Sequence, residues 1–246
     1  MDNALGKSDY WWLSSSQRSK YQQTEFGHHR PIRDDEDPSS IKWDNNVCSI
    51  SELEHWRDRF HNTNVYRTLK ITSISSGVDE IIGPFLIDID NGDEKLEDTL
   101  TVARKTFLIL HDVFKVETDS LRVFFTGHKG FNFEICPQAL DIKGAIDDQV
   151  RKSAQVLYQI TEKLRGRKSW QIRNQVSDIG TVVDQIYGNR LGYKLKHPYI
   201  RLHNSLNIWI SSDNKTKSRM KIELTVEELN KLSATEIVSR SEKLVN

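Results

Sequence analysis

Asp88 and Asp90 stand two residues apart at the end of the apolar run Pro84–Ile87, in the stretch GPFLIDIDNGD. Side chains two apart on a strand point the same way, so both carboxylates share one side of that strand. Charges of one sign that close repel unless water or a cation lies between them. Paired oxygen ligands suit Mg²⁺ or Mn²⁺. A calcium loop of the EF-hand kind fails on register: it needs glycine at its sixth position, whereas Gly92 is fifth from Asp88 and a strand precedes it.

A second cluster lies in FFTGHKGFNFEI. Gly127 and Gly130 allow a tight turn with exposed backbone N–H groups. Thr126, His128, Lys129 and Asn132 surround it with donors, a set that can cradle a triphosphate. A third cluster, HPYIRLHNSLN, carries Arg201, His203, Asn204, Ser205 and Asn207. Each cluster alone has an ordinary reading: a solvated strand end, a glycine-lysine hairpin tip, a polar edge strand. Their order is more telling. A carboxylate pair, a donor-rich glycine turn and an arginine-serine strand are the parts of a metal-assisted phosphoryl-transfer site.

The elements that must carry these residues read as a mixture of strands and helices. Ser51 can cap a helix through SELEHWRDRF, and NVYRTLKIT alternates as a strand. GPFLIDI suits a buried strand, and Asn91-Gly92 a turn. Leu96, Leu100, Ala103, Phe107, Leu110 and Phe114 recur at helical spacing, which predicts a helix over 95–115. LRVFFTG and FNFEI form an antiparallel pair around the glycine turn. A second long helix spans 147–165 and ends at Gly166. Strands follow in TVVDQI, YIRLHNSLNIWI and RMKIEL, and Thr225 with Glu228 forms a capping box for a last helix. Strands and helices do not alternate strictly, so the expected class is α+β. Residues 1–47 lack periodicity and carry the cluster RPIRDDEDPSS, so they read as a poorly structured or docking segment. Tyr10, Trp11, Trp12 and Trp43 supply the docking groups, and residues 48–246 form the main domain.

The 246 residues have no net formal charge, but the charge is unevenly spread. Thr72–Asp148 holds 15 acidic and 7 basic residues, whereas Arg151–Lys221 holds 15 basic and 4 acidic. An acidic centre beside a basic half suits cations in one place and a polyanion in the other. Arg165, Arg167, Lys168 and Arg173 are the candidate nucleic-acid contacts. No apolar run approaches the roughly 20 residues of a membrane span, and the N-terminus MDNALGKSDYWW has no secretory pattern. Two cysteines, Cys48 and Cys136, without metal-ligand spacing fit a reduced intracellular setting, cytoplasmic or nucleoid-associated.

Taken in order, these motifs resemble the archaeo-eukaryotic primase superfamily, the small catalytic subunits of DNA primases and the primase-polymerases. LIDID matches the family's D-x-D strand, TGHKGFN its S-G-x-x-G-x-H hairpin, and RLHNSLN its R/K-L-P-x-S-L-H/N strand. The match covers roughly residues 50–225. The resemblance implies an RNA-recognition-motif-like mixed or antiparallel sheet flanked by helices. It implies a template-dependent nucleotidyltransferase that joins NTPs or dNTPs on single-stranded DNA or RNA with two Mg²⁺ or Mn²⁺ ions. Asp88, Asp90 and a third acid would hold the metals. Asp184 in VVDQIYG is the candidate, with Asp178 as the fallback. Thr126, Gly127, His128, Lys129, Asn132, Arg201, Ser205 and Asn207 would bind the nucleotide. A larger accessory subunit or a helicase is the expected protein partner. Asn132 stands where the family histidine contacts the nucleotide phosphates, which removes the option of positive charge, and Asn207 stands where many members have another histidine. That departure keeps a catalytically inactive nucleic-acid-binding or assembly subunit open as an alternative. A metal-dependent nuclease is a further one.

Overall fold

From Ile87 to Asp90 the strand that carries the two aspartates alternates between a dry and a wet side: Ile87 and Ile89 are fully buried, Asp88 and Asp90 half-buried. The structure, a computed structural model, describes residues 9–23, 26–28, 42–44, 48–50, 52, 55, 64–91, 95–165, 181–183, 199–211 and 215–245. In chain order these include α1 (Ser15–Arg18), β1 (Tyr21–Gln23), β2 (Phe26–His28), β3 (Lys42–Asp44), β4 (Cys48–Ser49), β5 (Val65–Thr68), β6 (Lys70–Ser73), β7 (Asp79–Ile82) and β8 (Phe85–Asn91). They continue with α2 (Leu96–Leu108), β9 (Leu121–Phe125), β10 (Phe131–Ile135), α3 (Ile146–Arg165), β11 (Thr181–Val183) and β12 (Tyr199–Arg201). The last elements are β13 (Leu206–Ile210), β14 (Thr216–Met220), β15 (Ile222–Leu224), α4 (Val226–Lys231) and α5 (Ala234–Lys243). The class is α+β with antiparallel sheets, as the mixed pattern of elements requires.

The site rests on a five-stranded antiparallel sheet in the order β11-β8-β10-β9-β15. Its register sorts the side chains by face. Phe131 lies opposite Ile89 and Phe133 opposite Ile87, and these join Leu100, Ala103 and Phe107 of α2, Ile160 of α3 and Ile237 of α5 in one core cluster. Burying each large apolar side chain stabilises by about 1.5–3 kcal/mol relative to exposure. On the other face, Asn132 lies opposite Asp88, and Glu134 opposite Leu86. The helices therefore anchor one side of the sheet and leave the carboxylate side open to the rest of the chain.

The described part of the N-terminal segment docks on the body. Tyr10, Trp12 and Leu13 are buried in a second cluster with Val65, Ile71 and Leu202. The guanidinium of Arg67, almost fully buried, sits over the rings of Tyr10 and Trp12 and donates to the carbonyls of Thr68, Gly83 and Asp9. β1 also pairs with β4 and β6, in a sheet separate from the one that holds β8.

Several elements differ from the sequence expectation. NVYRTLKIT is two strands in two sheets, broken at the fully buried Leu69. YIRLHNSLNIWI is broken between β12 and β13, where Asn204 takes a left-handed φ of 53°. RMKIEL is likewise divided at Lys221. The helix predicted over 95–115 is regular only to Leu108 and then widens into a π-turn over Ile109–Val113. After β4, Ser49 and Glu52 form a reciprocal capping box, while Ser51 lies outside the described residues. The capping box at Thr225 and Glu228 forms as expected, and a second one at Ser233 and Glu236 opens α5. Among the described residues no helix is long and apolar enough to cross a membrane.

Candidate functional site

The three clusters, far apart in sequence, line one cleft of about 280 Å³. Asp88 and Asp90 supply one wall from β8. The β9–β10 hairpin supplies Thr126, His128, Lys129 and Asn132, and β12 and β13 supply Arg201 and Asn207. Eight residues singled out by type and spacing therefore share one concave surface.

Each side chain is held by an identifiable contact. Asn132 sits directly across the ladder from Asp88, and its Nδ2 donates to Asp88 Oδ1 at 2.5 Å. Its amide thus orients a carboxylate, a task distinct from the phosphate contact implied for it by position. The hairpin tip closes on itself: the backbone N–H and the hydroxyl of Thr126 both donate to the carbonyl of Gly130, at 3.0 and 3.1 Å. Asn207 donates to the Thr126 carbonyl at 3.0 Å, and Arg201 donates to the same oxygen at 3.2 Å. The carbonyl of Thr126 thereby ties the glycine turn to β12 and β13.

The glycines have separate reasons to be glycine. Gly127 has a φ of 90°, a left-handed conformation that disfavours other residues. Gly130 is needed for closeness instead: a Cβ there would overlap Asp90 Oδ1 and lie 2.6 Å from the carbonyl oxygen of Ile89. Gly130→Ala should therefore displace the Asp90 carboxylate. Overpacking of this kind costs about 1–3 kcal/mol. The expected result is a lower Tm together with weakened Mn²⁺ binding by calorimetry; an unchanged Mn²⁺ affinity would show that Asp90 is not held where this contact requires.

Arg201 acquires a partner that no sequence pattern announced. Its Cα pairs with that of Tyr66 across β5 and β12. The guanidinium donates to the Tyr66 hydroxyl at 2.8 Å and lies 5.1 Å from the ring centroid. Tyr66 also lines the cleft, together with Leu86 and Ile200. The residues Tyr66 and Arg201 are 135 apart in sequence, so only strand pairing reveals the contact. Arg201 Nε is buried without an acceptor among the described residues, so the guanidinium keeps donor capacity.

Ser205 does not belong to the cleft surface. It is fully buried, and its hydroxyl donates to the carbonyl of Leu202 at 2.7 Å, closing the turn between β12 and β13. Arg165 also lies apart: it ends α3, its side chain is 9% exposed, and it pairs with Glu162 at 2.7 Å. Arg167, Lys168, Arg173, Asp178 and Asp184 lie outside the described residues.

Behind the cleft stands a buried polar layer that the sequence did not announce. Lys221, fully buried, donates to Glu134 at 3.2 Å and to the carbonyl of Arg201 at 2.7 Å. Burial pushes its ammonium below the ordinary lysine range, and Glu134 pulls it partly back. His203 Nδ1 and Asp9 Oδ1 lie 2.5 Å apart, also buried. Lys221 thereby ties this layer to the backbone of β12.

The donor set fits a hard divalent cation. Two half-buried carboxylates share one face of β8 and line the cleft. Mg²⁺ sites of this type use one or two carboxylates and take their remaining oxygens from substrate phosphates and water. Among the described residues no group of three or more His, Cys, Asp or Glu side chains could hold a metal ion by itself. The cations that line the same cleft, Lys129 and Arg201, suit those phosphates. No family model, curated protein or solved structure matches the chain.

Proposed function

We propose that the chain is a template-dependent nucleotidyltransferase of the primase or primase-polymerase kind, related to the archaeo-eukaryotic primase superfamily. The observation that carries this reading is the shared cleft, where an aspartate pair faces a glycine turn and an arginine. The antiparallel sheet with helices on one face and the aspartates on the other supports it too. Asp88 and Asp90 would hold two Mg²⁺ or Mn²⁺ ions together with a third acid, for which Asp184 remains the candidate. When bound, these ions lower the pKa of an attacking 3′-hydroxyl and neutralise charge on the departing pyrophosphate.

The chain's own residues bind and orient. Asn132 holds the Asp88 carboxylate in one rotamer. Lys129 and Arg201 bind the triphosphate, and Tyr66 and the Thr126 carbonyl fix the guanidinium plane. Leu86 and Ile200 offer apolar surface to the sugar or base. Positioning of this kind is most of what phosphoryl transfer needs from a protein. A nuclease needs no grip on a terminal phosphate, so the cation-bearing wall favours the polymerase reading over that one.

The test is extension of a labelled primer, or de novo synthesis, on single-stranded template with NTPs or dNTPs and Mn²⁺. Synthesis supports the reading. Binding of single strands without synthesis or triphosphate binding favours the inactive module instead. Arg201 provides a sharper check. Charge-assisted contacts to phosphate contribute about 1.5–3 kcal/mol each, so Arg201→Ala should raise the nucleotide concentration for half-maximal rate about tenfold or more. Arg201→Lys should restore little, because a point charge cannot reproduce the guanidinium fork. An unchanged requirement for nucleotide would remove Arg201 from the triphosphate site.

A further inference from the structure

Beside the cleft, β13 and β14 pair, among the described residues, with each other alone, as a two-stranded ribbon. Its contacts converge on His128. The imidazole of His128 lies against the indole of Trp209, with centroids 4.2 Å apart and planes 21° from parallel. The guanidinium of Arg219 stands over the same indole, 5.3 Å from its centroid. Arg219 in turn donates to Glu242 of α5 at 2.9 Å. Ser241 of that helix donates to the carbonyl of Met220 at 2.6 Å. The ribbon is therefore fastened both to the C-terminal helix, through Arg219 and Met220, and to the glycine turn, through Asn207 and Trp209.

The fit at the turn is close. Asn207 and Trp209, two apart on β13, share a face. Asn207 meets the Thr126 carbonyl, and Trp209 meets His128. A Cβ on Gly127, between those two hairpin residues, would lie 3.0 Å from both the Arg219 carbonyl oxygen and Asn207 Cβ. The turn is seated on the ribbon with no space to spare.

We infer that Trp209 is a positioning residue for His128: it sets where the imidazole stands in the cleft, and Arg219 with Glu242 holds Trp209 in place. The inference rests on the reading of the cleft as a triphosphate site. His128 lies in the turn between β9 and β10, outside the strand ladder. A side chain on such a turn loses rotamer freedom when it grips a ligand. Stacking on a fixed indole removes that freedom in advance, so less is lost on binding. Trp209 acts through His128 and needs no contact with the ligand.

The experiment titrates ATP and dATP, with Mn²⁺, into the full chain by calorimetry. Trp209→Leu should weaken binding about two- to tenfold, the range that an aromatic stacking pair supplies. Trp209→Phe, which keeps a flat face, should retain most of the affinity. In a His128→Ala background Trp209→Leu should add nothing, because the two residues act as one unit. An equal loss in both backgrounds would overturn the inference and make Trp209 a direct wall of the site. A second readout needs no ligand. In histidine-labelled protein the ring protons of His128 should be shifted upfield by the indole and return toward ordinary values in Trp209→Leu. Unshifted His128 signals in the wild type overturn the inference by themselves. Shifted signals in a protein that binds neither nucleotide uphold the positioning and sink the triphosphate reading instead.

Discussion

Replacing Asp88 and Asp90 together by asparagine should reduce nucleotide incorporation by about a thousandfold or more and leave the fold intact. Metal stabilisation of charge in a displacement contributes several kcal/mol, and each 1.36 kcal/mol is a factor of ten in rate. Asparagine keeps the shape of aspartate and can still accept the hydrogen bond from Asn132 that Asp88 accepts at 2.5 Å. What it removes is negative charge. The two carboxylates share one side of β8, so without metal their repulsion is relieved in the variant. The melting temperature measured in chelator should therefore hold or rise, while the rise in Tm on adding Mn²⁺ that is expected of the wild type should disappear. Primer extension and a thermal melt on the same preparation check both halves. Incorporation at the wild-type rate would end the nucleotidyltransferase reading. A collapsed melt in chelator would mean that the carboxylates are structural.

The second large effect concerns stability. Lys221→Met should destabilise the protein by about 3 kcal/mol, at the lower end of the 3–5 kcal/mol expected for breaking a buried pair. Lys221 is fully buried and Glu134 nearly so. Removing the ammonium leaves the carboxylate without its nearest charge partner and the Arg201 carbonyl without its donor. The lower end applies because Arg122 is close enough to feel the charge of Glu134. Adding Glu134→Leu to Lys221→Met should recover most of the loss, since an apolar pair of similar volume avoids the desolvation of both charges. Urea unfolding of the wild type, the single variant and the double variant forms the cycle. If Lys221→Met alone costs under about 1 kcal/mol, the pair is wetter than its burial indicates. The pH dependence has a definite sign. Burial lowers the pKa of Lys221 in the folded state, so the unfolded chain holds that proton more tightly. The contribution of Lys221 to stability therefore improves as pH rises through its folded pKa toward the ordinary lysine value, about 10.4.

Local chemistry was legible in the residue order because it rests on rules that act over a few positions. Alternation put Asp88 and Asp90 on one face of a strand, and the structure keeps them there. Gly127 and Gly130 marked a turn between two antiparallel strands, which is the β9–β10 hairpin. Thr225 and Glu228 announced a helix start that forms as written. The gathering of aspartates, glycine turn and Arg201 was suggested by their order along the chain, and their shared cleft agrees with it. Contacts between distant segments were not legible. Tyr66 reaches Arg201, and Trp209 reaches His128, through strand register and sheet packing, which leave no periodic trace. The role of Asn132 depended on which residue lies across the ladder from it, and that residue is Asp88. Ser205 read as a site residue by type but is drawn inward by the left-handed turn at Asn204, where its hydroxyl satisfies a buried carbonyl. The burial of Lys221 was the least legible feature of all. An isolated lysine prefers water, and only the tertiary placement of Glu134, Phe124 and the Arg201 carbonyl around it makes an interior position tolerable.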